Sequence, residues 1–292
     1  MDIPIYQVDV FSTKLFSGNP LAVCLKGEIF REEQLQKVAR EMNLSETTFV
    51  FPPSNSNANF DVRIFTPRKE IPFAGHPTLG TAYVLKYTGL IPNKINHLVL
   101  NFKTGLISVH LQDDGKFLME TPRGEILQNY PNTKDVAESL GLKANNINPD
   151  LPIQTVTTGF PAMLVPINSL DAIKKITLNL TILEPLLNQA KVDMIYPFTL
   201  QTCDDENSIH ARGFAPFIGI PEDPGTGSVA SALGYYLYDK NFKEKNIFIE
   251  QGYEMKRPSN IFVEIDSAEG KTTEIRVGGR VSLVFKGTLY LK

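Results

Sequence analysis

Cysteine is scarce in this chain, and its scarcity excludes two classes of protein. Only Cys24 and Cys203 are present among the 292 residues, and neither has the spacing of a metal ligand or a redox pair. A disulfide framework and a zinc ribbon are therefore excluded. Cys24 lies in the apolar run PLAVCL, where we expect it to be buried, and the two aspartates that follow Cys203 disfavour a thiolate. We expect neither cysteine to act as a nucleophile.

The chain also lacks long hydrophobic runs and a concentrated basic segment. No stretch of about 18 apolar residues occurs, and the N-terminus MDIPIYQVDV has neither the basic nor the apolar region of a signal peptide. The net charge is −3, with lysine and arginine scattered, whereas proteins that bind a nucleic-acid backbone show a basic face. We therefore expect a cytoplasmic protein with no membrane or nucleic-acid partner.

Histidine is rare as well, and the sequence predicts no metal site. Three of the four histidines, His97, His110 and His210, lie in strand-like or loop segments without a mutual spacing typical of metal ligands. No glycine-rich segment has the lysine of a P-loop or opens a βαβ unit as GxGxxG. We therefore expect neither a metal nor a nucleotide cofactor.

What the chain does contain is an internal duplication. RIFTPRKEIPFAGHPTLGTAYVL recurs imperfectly as RGFAPFIGIPEDPGTGSVASALGYYL, so that Arg63 and Arg212 are equivalent, and GNPLAV is matched by GFPAML. Two copies with a period of half the chain are too few and too long for a solenoid. With 42% hydrophobic residues, the chain is long enough to bury two ordinary cores.

The duplication predicts two homologous domains. We place the first at residues 1–125 and the second at residues 126–285, with the last strand, 286–292, returning to the first domain. Homologous domains of this kind usually meet across a pseudo-twofold axis, and we expect a cleft there.

Strand-like segments dominate, and helices are fewer. The predicted strands in the first half are YQVDVF, LAVCL, ETTFVF, FDVRIF, HLVLNF, LISVHL and KFLME. Residues 31–42 carry apolar side chains at helical spacing, which predicts an amphipathic helix packed on a sheet. Residues 77–86 predict a second helix, and its counterpart starts near Gly227.

Two glycine-containing turns each lead into a predicted helix. They are Gly75-His76-Pro77 and Gly225-Thr226-Gly227-Ser228. A helix start offers unpaired amide donors and a partial positive charge, which bind carboxylate or phosphate. An ordinary turn explains either one alone, but two at equivalent repeat positions favour a ligand. Because no nucleotide motif is present, a small organic acid fits best.

Glu46 is the leading candidate for an acid or base. It lies in MNLSETTFVF, between the amphipathic helix and a β-rich strand, among apolar and hydroxylic neighbours. Desolvation there would raise the pKa of the carboxyl group towards neutral. The alternative is a solvated glutamate at the start of a strand. The equivalent position in the second half is about Ile195, so the acid has no twin.

His76 and Asp223 are the other ionisable candidates. At a helix start the dipole disfavours a protonated imidazole, so we expect His76 to be neutral and to donate or accept one hydrogen bond. Its alternative is a surface histidine in a turn. Asp223 precedes the second glycine turn, and capping of the following helix is its alternative role.

Five blocks of the sequence resemble the PhzF, or phenazine biosynthesis-like, family over essentially the whole chain. In order they are QVDVFSTKLFSGNPLAV, NLSETTFV, FTPRKEIPFAGHPTLG, EDPGTGS and KRPSNIFVEI. The resemblance implies an α/β (α+β) fold similar to diaminopimelate epimerase. In that fold two pseudo-symmetric domains each wrap a β-barrel-like sheet around a central helix, and the active site lies between them. The central helices would begin near Gly75 and Gly227, and homodimers are usual in the family.

The resemblance also implies a cofactor-independent isomerase. Members in the phenazine pathway rearrange trans-2,3-dihydro-3-hydroxyanthranilate, using one glutamate as acid and base, and Glu46 matches that glutamate. Residues that assist the proton transfer are matched by His76 and Asp223, and the ligand-binding turns by Gly75, Gly227 and Ser228. Epimerases and racemases of this fold carry a cysteine at each turn, which this chain lacks, so a two-thiol mechanism is excluded.

We therefore predict an isomerase that moves a proton between carbons of a small carboxylated substrate. We expect this substrate to differ from the phenazine precursor, because site residues and not the fold set function. One alternative is a hydrolase or lyase in which Glu46 activates water, although no metal-ligand cluster in the sequence supports it. The other is a non-catalytic protein that binds a small acid.

Overall fold

The protein divides into two compact units. The computed structural model describes residues 2–92, 94–242, 244–268 and 271–291. Unit 1 comprises Met1–Glu120 with Gly278–Lys292, and unit 2 comprises Thr121–Val277. The domain bounds inferred from the duplication stay a prediction. None of the helices in the described ranges is long and apolar enough to cross a membrane.

Unit 1 is built mainly of strands, and the strands expected from its sequence are confirmed. They are β1 (Asp2–Val10), β2 (Asn19–Cys24), β3 (Glu46–Phe51), β4 (Phe60–Phe65), β5 (Glu70–Ile71), β6 (His97–Phe102), β7 (Gly105–Leu111), β8 (Phe117–Glu120) and, from the C-terminus, β19 (Val281–Tyr290). The helices are α1 (Glu32–Met42) and α2 (Gly75–Tyr87). Helix α2 begins before the predicted start, so Pro77 lies in its first turn, where no amide donor is needed.

The strands of unit 1 form one continuous sheet that contains two parallel strand pairs. Strand β1 pairs antiparallel with β2 and with β19, and β3 with β4. The parallel pairs are β2 with β3 and β4 with β6, and each is bridged in sequence by one helix, α1 or α2. Parallel neighbours require such a crossover. Antiparallel pairs β6–β7 and β7–β8 complete the sheet.

The sheet of unit 1 is covered on both faces, which explains its nearly continuous apolar strands. Alternate residues such as Ala22, Cys24 and Phe49 join Leu35 of α1 in one hydrophobic core. On the other face α2 packs against β1, β2, β3 and β8. Strands buried on both faces lose the usual polar alternation. Helix α2 is itself buried nearly all round, as expected for a central helix.

Unit 2 repeats this plan. Its strands are β9 (Glu125–Asn129), β10 (Gln154–Thr157), β11 (Ala162–Pro166), β12 (Met194–Thr199), β13 (Ile209–Ala211), β14 (Gly213–Ala215), β15 (Ile220–Asp223), β16 (Asn246–Gln251), β17 (Ser259–Ala268) and β18 (Lys271–Gly279). Its helices are α3 (Thr133–Ser139), α4 (Leu170–Lys174), α5 (Leu180–Ala190) and α6 (Gly227–Asp239). The parallel pairs are β11 with β12 and β13 with β16, and the buried α6 contacts β9, β10, β11 and β17. A sheet around a central helix is therefore confirmed for each unit.

The duplication extends to individual contacts. Arg63 Nε donates to Glu70 Oε1 at 2.8 Å, and its guanidinium lies 5.1 Å from the ring centroid of Phe65. Arg212 Nε likewise donates to Glu222 at 2.8 Å, with its guanidinium 4.8 Å from the ring of the equivalent phenylalanine. The second copy also contains a turn of 3₁₀ helix, Pro216–Ile218. The two motifs are thus equivalent in structure as well as in sequence.

Candidate active site

Glu46 is the first residue of β3, and its side chain is buried. Side chains alternate along a strand, so Glu46 and Thr48 project to the face opposite Phe49, which packs in the α1 core. Thr48 Oγ1 lies 2.9 Å from Thr81 Oγ1 on α2, which identifies this as the α2 face. Only 6% of Glu46 is exposed, and the alternative of a solvated glutamate is therefore wrong.

His76 is the second residue of α2 and the partner of Glu46. Its Nε2 lies 3.2 Å from Glu46 Oε2, and each side chain is 8% exposed. Neither of these two atoms makes an aligned hydrogen bond to a residue in the described part of the chain. Buried polar atoms are normally hydrogen-bonded, and exceptions often mark functional sites. The alternative of a surface histidine in a turn is likewise wrong.

Proximity to His76 reverses the pKa shift expected for Glu46. Burial is the largest influence on the pKa of Glu46 and raises it, but the nearby His76 and Ser45 outweigh it, so the pKa lies below its usual range. The raised pKa expected from the sequence is therefore wrong, because it considered burial without the partner. At neutral pH the carboxylate is ionised, which is the form that accepts a proton.

The second glycine turn lies in unit 2 and is bound by Asp223. Helix α6 begins at Gly227 with Thr226 at the N-cap position, and the Thr226 side chain makes no capping hydrogen bond. Thr226 Oγ1 donates to Asp223 Oδ2 at 2.6 Å. Asp223 ends β15 and orients this threonine, and its role in capping α6 stays a prediction. Gly227 is buried and Ser228 partly exposed at the helix start.

Gln251 stabilises this turn through hydrogen bonds. This residue was not identified from the sequence. Its Oε1 accepts hydrogen bonds from Tyr196 Oη at 2.8 Å and from the Thr226 amide at 3.1 Å. Its Nε2 donates to the Asp223 carbonyl at 2.7 Å and to Thr226 Oγ1 at 2.9 Å. The side chain is fully buried. Two polar residues ending the β-rich run NIFIEQ were the only signal in the sequence.

Strand register corrects the repeat position that matches Glu46. Leu21 pairs with Glu46 across the parallel strands of unit 1, and Ala162 pairs with Met194 across those of unit 2. The equivalent of Glu46 is therefore Met194 and not Ile195. The conclusion that the acid has no twin is unchanged, because Met194 is buried and carries no charge.

Of the two acids before the second turn, Asp223 alone has no counterpart in unit 1. Glu222 binds Arg212 through two hydrogen bonds, as Glu70 binds the equivalent arginine. Asp223, the next residue, therefore corresponds to Ile71. The carboxylate of Asp223 is thus specific to unit 2. The carboxylate of Glu222 is instead paired with Arg212, as in the equivalent ion pair of unit 1.

His210 is buried in unit 2 between two glutamates. Its Nδ1 lies 2.6 Å from Glu250 Oε1, and its Nε2 lies 3.2 Å from Glu254 Oε1. Burial lowers the pKa of His210, but the two carboxylates outweigh it and raise the pKa overall. In unit 1 the equivalent positions are occupied by Asp61 and Asn101, and Asn101 donates a hydrogen bond to Asp61. The contact between His210 and Glu250 therefore has a structural role, since it links two parallel strands.

The cysteines behave as expected from the sequence. Cys24 is buried, and desolvation raises the pKa of its thiol. Cys203 is exposed, and desolvation followed by the charge of Glu250 raises its pKa. Neither thiol is activated for nucleophilic attack.

A protein-family profile matches nearly the whole chain. The family is PhzC-PhzF, described as phenazine biosynthesis-like protein, and the match covers residues 8–287. The chain belongs to this family. The resemblance inferred from the sequence blocks is therefore confirmed, and the two glycine turns and Glu46 all lie inside the matched range.

Two curated relatives of this PhzC-PhzF member are named isomerases. An uncharacterized isomerase of Clostridium acetobutylicum is 32% identical over 303 residues, covering 98% of each chain. The trans-2,3-dihydro-3-hydroxyanthranilate isomerase of Pseudomonas aeruginosa is 32% identical over 291 residues, covering 97% of this chain and 98% of that protein. The prediction of an isomerase is confirmed.

Solved structures confirm the fold. A phenazine biosynthesis protein of the PhzF family from Bacillus anthracis has a TM-score of 0.90 at 27% identity, and all of each chain is covered. A probable proline racemase from Agrobacterium radiobacter has a TM-score of 0.64 at 12% identity, covering 99% of this chain and 93% of that one. The second likeness shows the fold alone, and it is the duplicated racemase and epimerase type predicted from the sequence.

Proposed function

We propose that this isomerase moves a proton between two carbons of a small carboxylated substrate, with Glu46 as the acid and base. The observation that carries the proposal is the buried pair of Glu46 Oε2 and His76 Nε2, which lie 3.2 Å apart without an aligned hydrogen bond to any described residue. Such a pair is ready to exchange a proton with a ligand. Positioned proton transfer contributes roughly 10²–10⁴-fold in rate.

The glycine turns support a carboxylate in the substrate. The N-cap residues of α2 and α6, Ala74 and Thr226, make no side-chain capping hydrogen bond. Their first amides and partial positive charge suit an anion. In the proposal Gly75 in unit 1 and Gly227 with Ser228 in unit 2 bind the substrate, and Asp223 assists the proton transfer.

The proposal includes features that the family resemblance implies. They are a homodimer and the absence of a cofactor, and the cytoplasmic location expected from the sequence is proposed with them. The Pseudomonas relative is named for trans-2,3-dihydro-3-hydroxyanthranilate. We propose a different small acid for this chain, because site residues set the substrate within a fold.

Isotope incorporation tests the reaction class. The protein is incubated with trans-2,3-dihydro-3-hydroxyanthranilate and with a panel of small unsaturated carboxylic acids, in D₂O and separately in H₂¹⁸O. We expect an isomer that carries deuterium on carbon and no ¹⁸O, detected by NMR and mass spectrometry. Incorporation of ¹⁸O would instead indicate a hydrolase with Glu46 activating water. Binding of an acid with no isomer formed and neither isotope incorporated would indicate a non-catalytic protein.

A substitution of His76 tests the pairing through the pH dependence of the rate. Activity of the wild type is lost as the pH falls through the lowered pKa of Glu46. In His76→Gln the imidazole that lowers the pKa of Glu46 is gone while the burial remains, so this pKa rises and the acid limb of kcat/KM moves to higher pH. An acid limb that does not move would show that His76 does not set the protonation of the catalytic group.

A further inference from the structure

Strand pairing brings three potential metal ligands together on unit 1. His97 on β6 lies directly opposite His110 on β7, and their ring centroids are 4.8 Å apart. Glu120 ends β8, and its Oε1 lies 2.7 Å from His110 Nε2. One ligand atom from each of the three residues lies within 4.8 Å of the others. The spacing along the chain gave no sign of this cluster, because a hairpin turn separates the histidines.

We propose that His97, His110 and Glu120 form a binding site for a divalent ion of the zinc class. Two imidazoles and one carboxylate are a donor set that zinc uses, whereas calcium and magnesium prefer oxygen ligands alone. Ligand atoms around a tetrahedral zinc lie about 3.3 Å apart, given bonds of about 2.0–2.2 Å. The His110–Glu120 separation of 2.7 Å is shorter than that value, and all three ligand atoms lie within 4.8 Å of one another, so rotation of the side chains can bring them to it.

The site is open to solvent, so an ion can enter it. His97 is exposed, and the side chains of His110 and Glu120 are 36% and 41% exposed. The ion binds between His110 Nε2 and Glu120 Oε1 in place of their hydrogen bond, and the neutral imidazole of His110 then carries its one ring hydrogen on Nδ1. His97 supplies the third bond and water the fourth. The bound ion thereby links β6, β7 and β8.

At the equivalent strands of unit 2, β16 and β17, an arginine side chain supplies the positive charge. Asn246 pairs with Glu264 there, as His97 pairs with His110 in unit 1. Arg276 binds Glu264 at 2.7 Å and Asp266 at 2.6 Å through its guanidinium. In unit 1 the ion pair recorded for Glu120 is with His110. In unit 2 the positive charge at this place is the guanidinium of Arg276. In unit 1 a free metal ion can supply it.

A second cluster of potential ligands does not share these properties. It consists of Cys203, His210 and Glu250. Both carboxylate oxygens of Glu250 already accept hydrogen bonds, from backbone amides, a side-chain amide and His210. An ion would have to displace these donors in a buried position. This cluster therefore serves as the comparison site in the experiment.

Zinc titration of the full chain tests the proposal. Protein without a histidine tag is stripped with a chelator, dialysed and titrated with ZnCl₂ in a calorimeter, and Co²⁺ absorption is recorded in parallel. We expect one ion per chain. His97→Ala and Glu120→Gln should each weaken binding by at least about tenfold, because losing even a residue that only orients a ligand costs 10–100-fold. Zinc should raise the Tm of the wild type and not that of His97→Ala.

Cys203→Ser is the matched control, and it should bind zinc like the wild type. The proposal is overturned if the wild type binds no zinc, if His97→Ala binds it unchanged, or if Cys203→Ser abolishes binding. Because His97 is exposed, its variant should fold, and circular dichroism with chelator present checks this. The readout is independent of isomerase activity, so its failure and the failure of the proposed reaction are distinguishable.

Discussion

Replacing Glu46 with glutamine is expected to lower kcat by about 10²–10⁴-fold. Glutamine has nearly the shape of glutamate and can still hydrogen-bond, but it cannot accept a proton from carbon. The carboxylate is ionised in the wild type because His76 holds its pKa below the usual range despite burial. The loss should therefore appear in kcat, measured by steady-state kinetics, with a smaller change in KM.

Two further variants separate the chemistry from the fold. Glu46→Asp keeps the charge but withdraws the carboxylate, so its kcat should fall between those of the wild type and Glu46→Gln. Glu41→Gln changes an exposed glutamate on the nearby α1 and should leave kcat unaltered. Circular dichroism and Tm check that each variant folds. Full activity in a folded Glu46→Gln protein would remove Glu46 from the reaction.

Replacing Gln251 with leucine is expected to cost about 2–6 kcal/mol in the free energy of unfolding. Two donors, Tyr196 Oη and the Thr226 amide, would lose their acceptor in a fully buried position. Each unsatisfied buried group costs about 1–3 kcal/mol. Leucine fills the volume, so the loss reports hydrogen bonding and not a cavity. Urea-induced unfolding measures the change.

The same substitution should weaken substrate binding. Gln251 Nε2 ties Asp223 to Thr226 at the start of α6, and the proposed carboxylate site depends on that turn. KM should rise more than it does in Gln128→Leu, which changes an exposed glutamine in the same unit. Equal stability of the two variants would show that the Gln251 network does not hold the turn.

Most of the fold could be predicted because the duplication and strand patterns are local properties of the sequence. The position of α2 follows from the turn before it, and β3 follows from the run ETTFVF. The equivalent of Glu46 was misplaced at Ile195 because register depends on pairing between distant strands, which sequence spacing does not specify.

The site was predicted less completely, since its chemistry depends on tertiary contacts. The burial of Glu46 followed from its apolar neighbours, but the sign of its pKa shift depends on His76, which lies on another element. Gln251 and His210 acquire their roles only when β13 and β16 pair. For the same reason the proximity of His97 and His110 could not be read from the sequence.

Transfer of isotope within the substrate tests the central claim most directly. Substrate deuterated at the carbon that loses its proton is converted in ordinary water by the wild type and by Glu46→Gln, and the product is analysed by NMR. If one carboxyl group carries the proton, the wild type retains part of the deuterium at the accepting carbon, and the variant forms almost no product. The account is contradicted if Glu46→Gln forms the same product, at the same rate and with the same label, as the wild type.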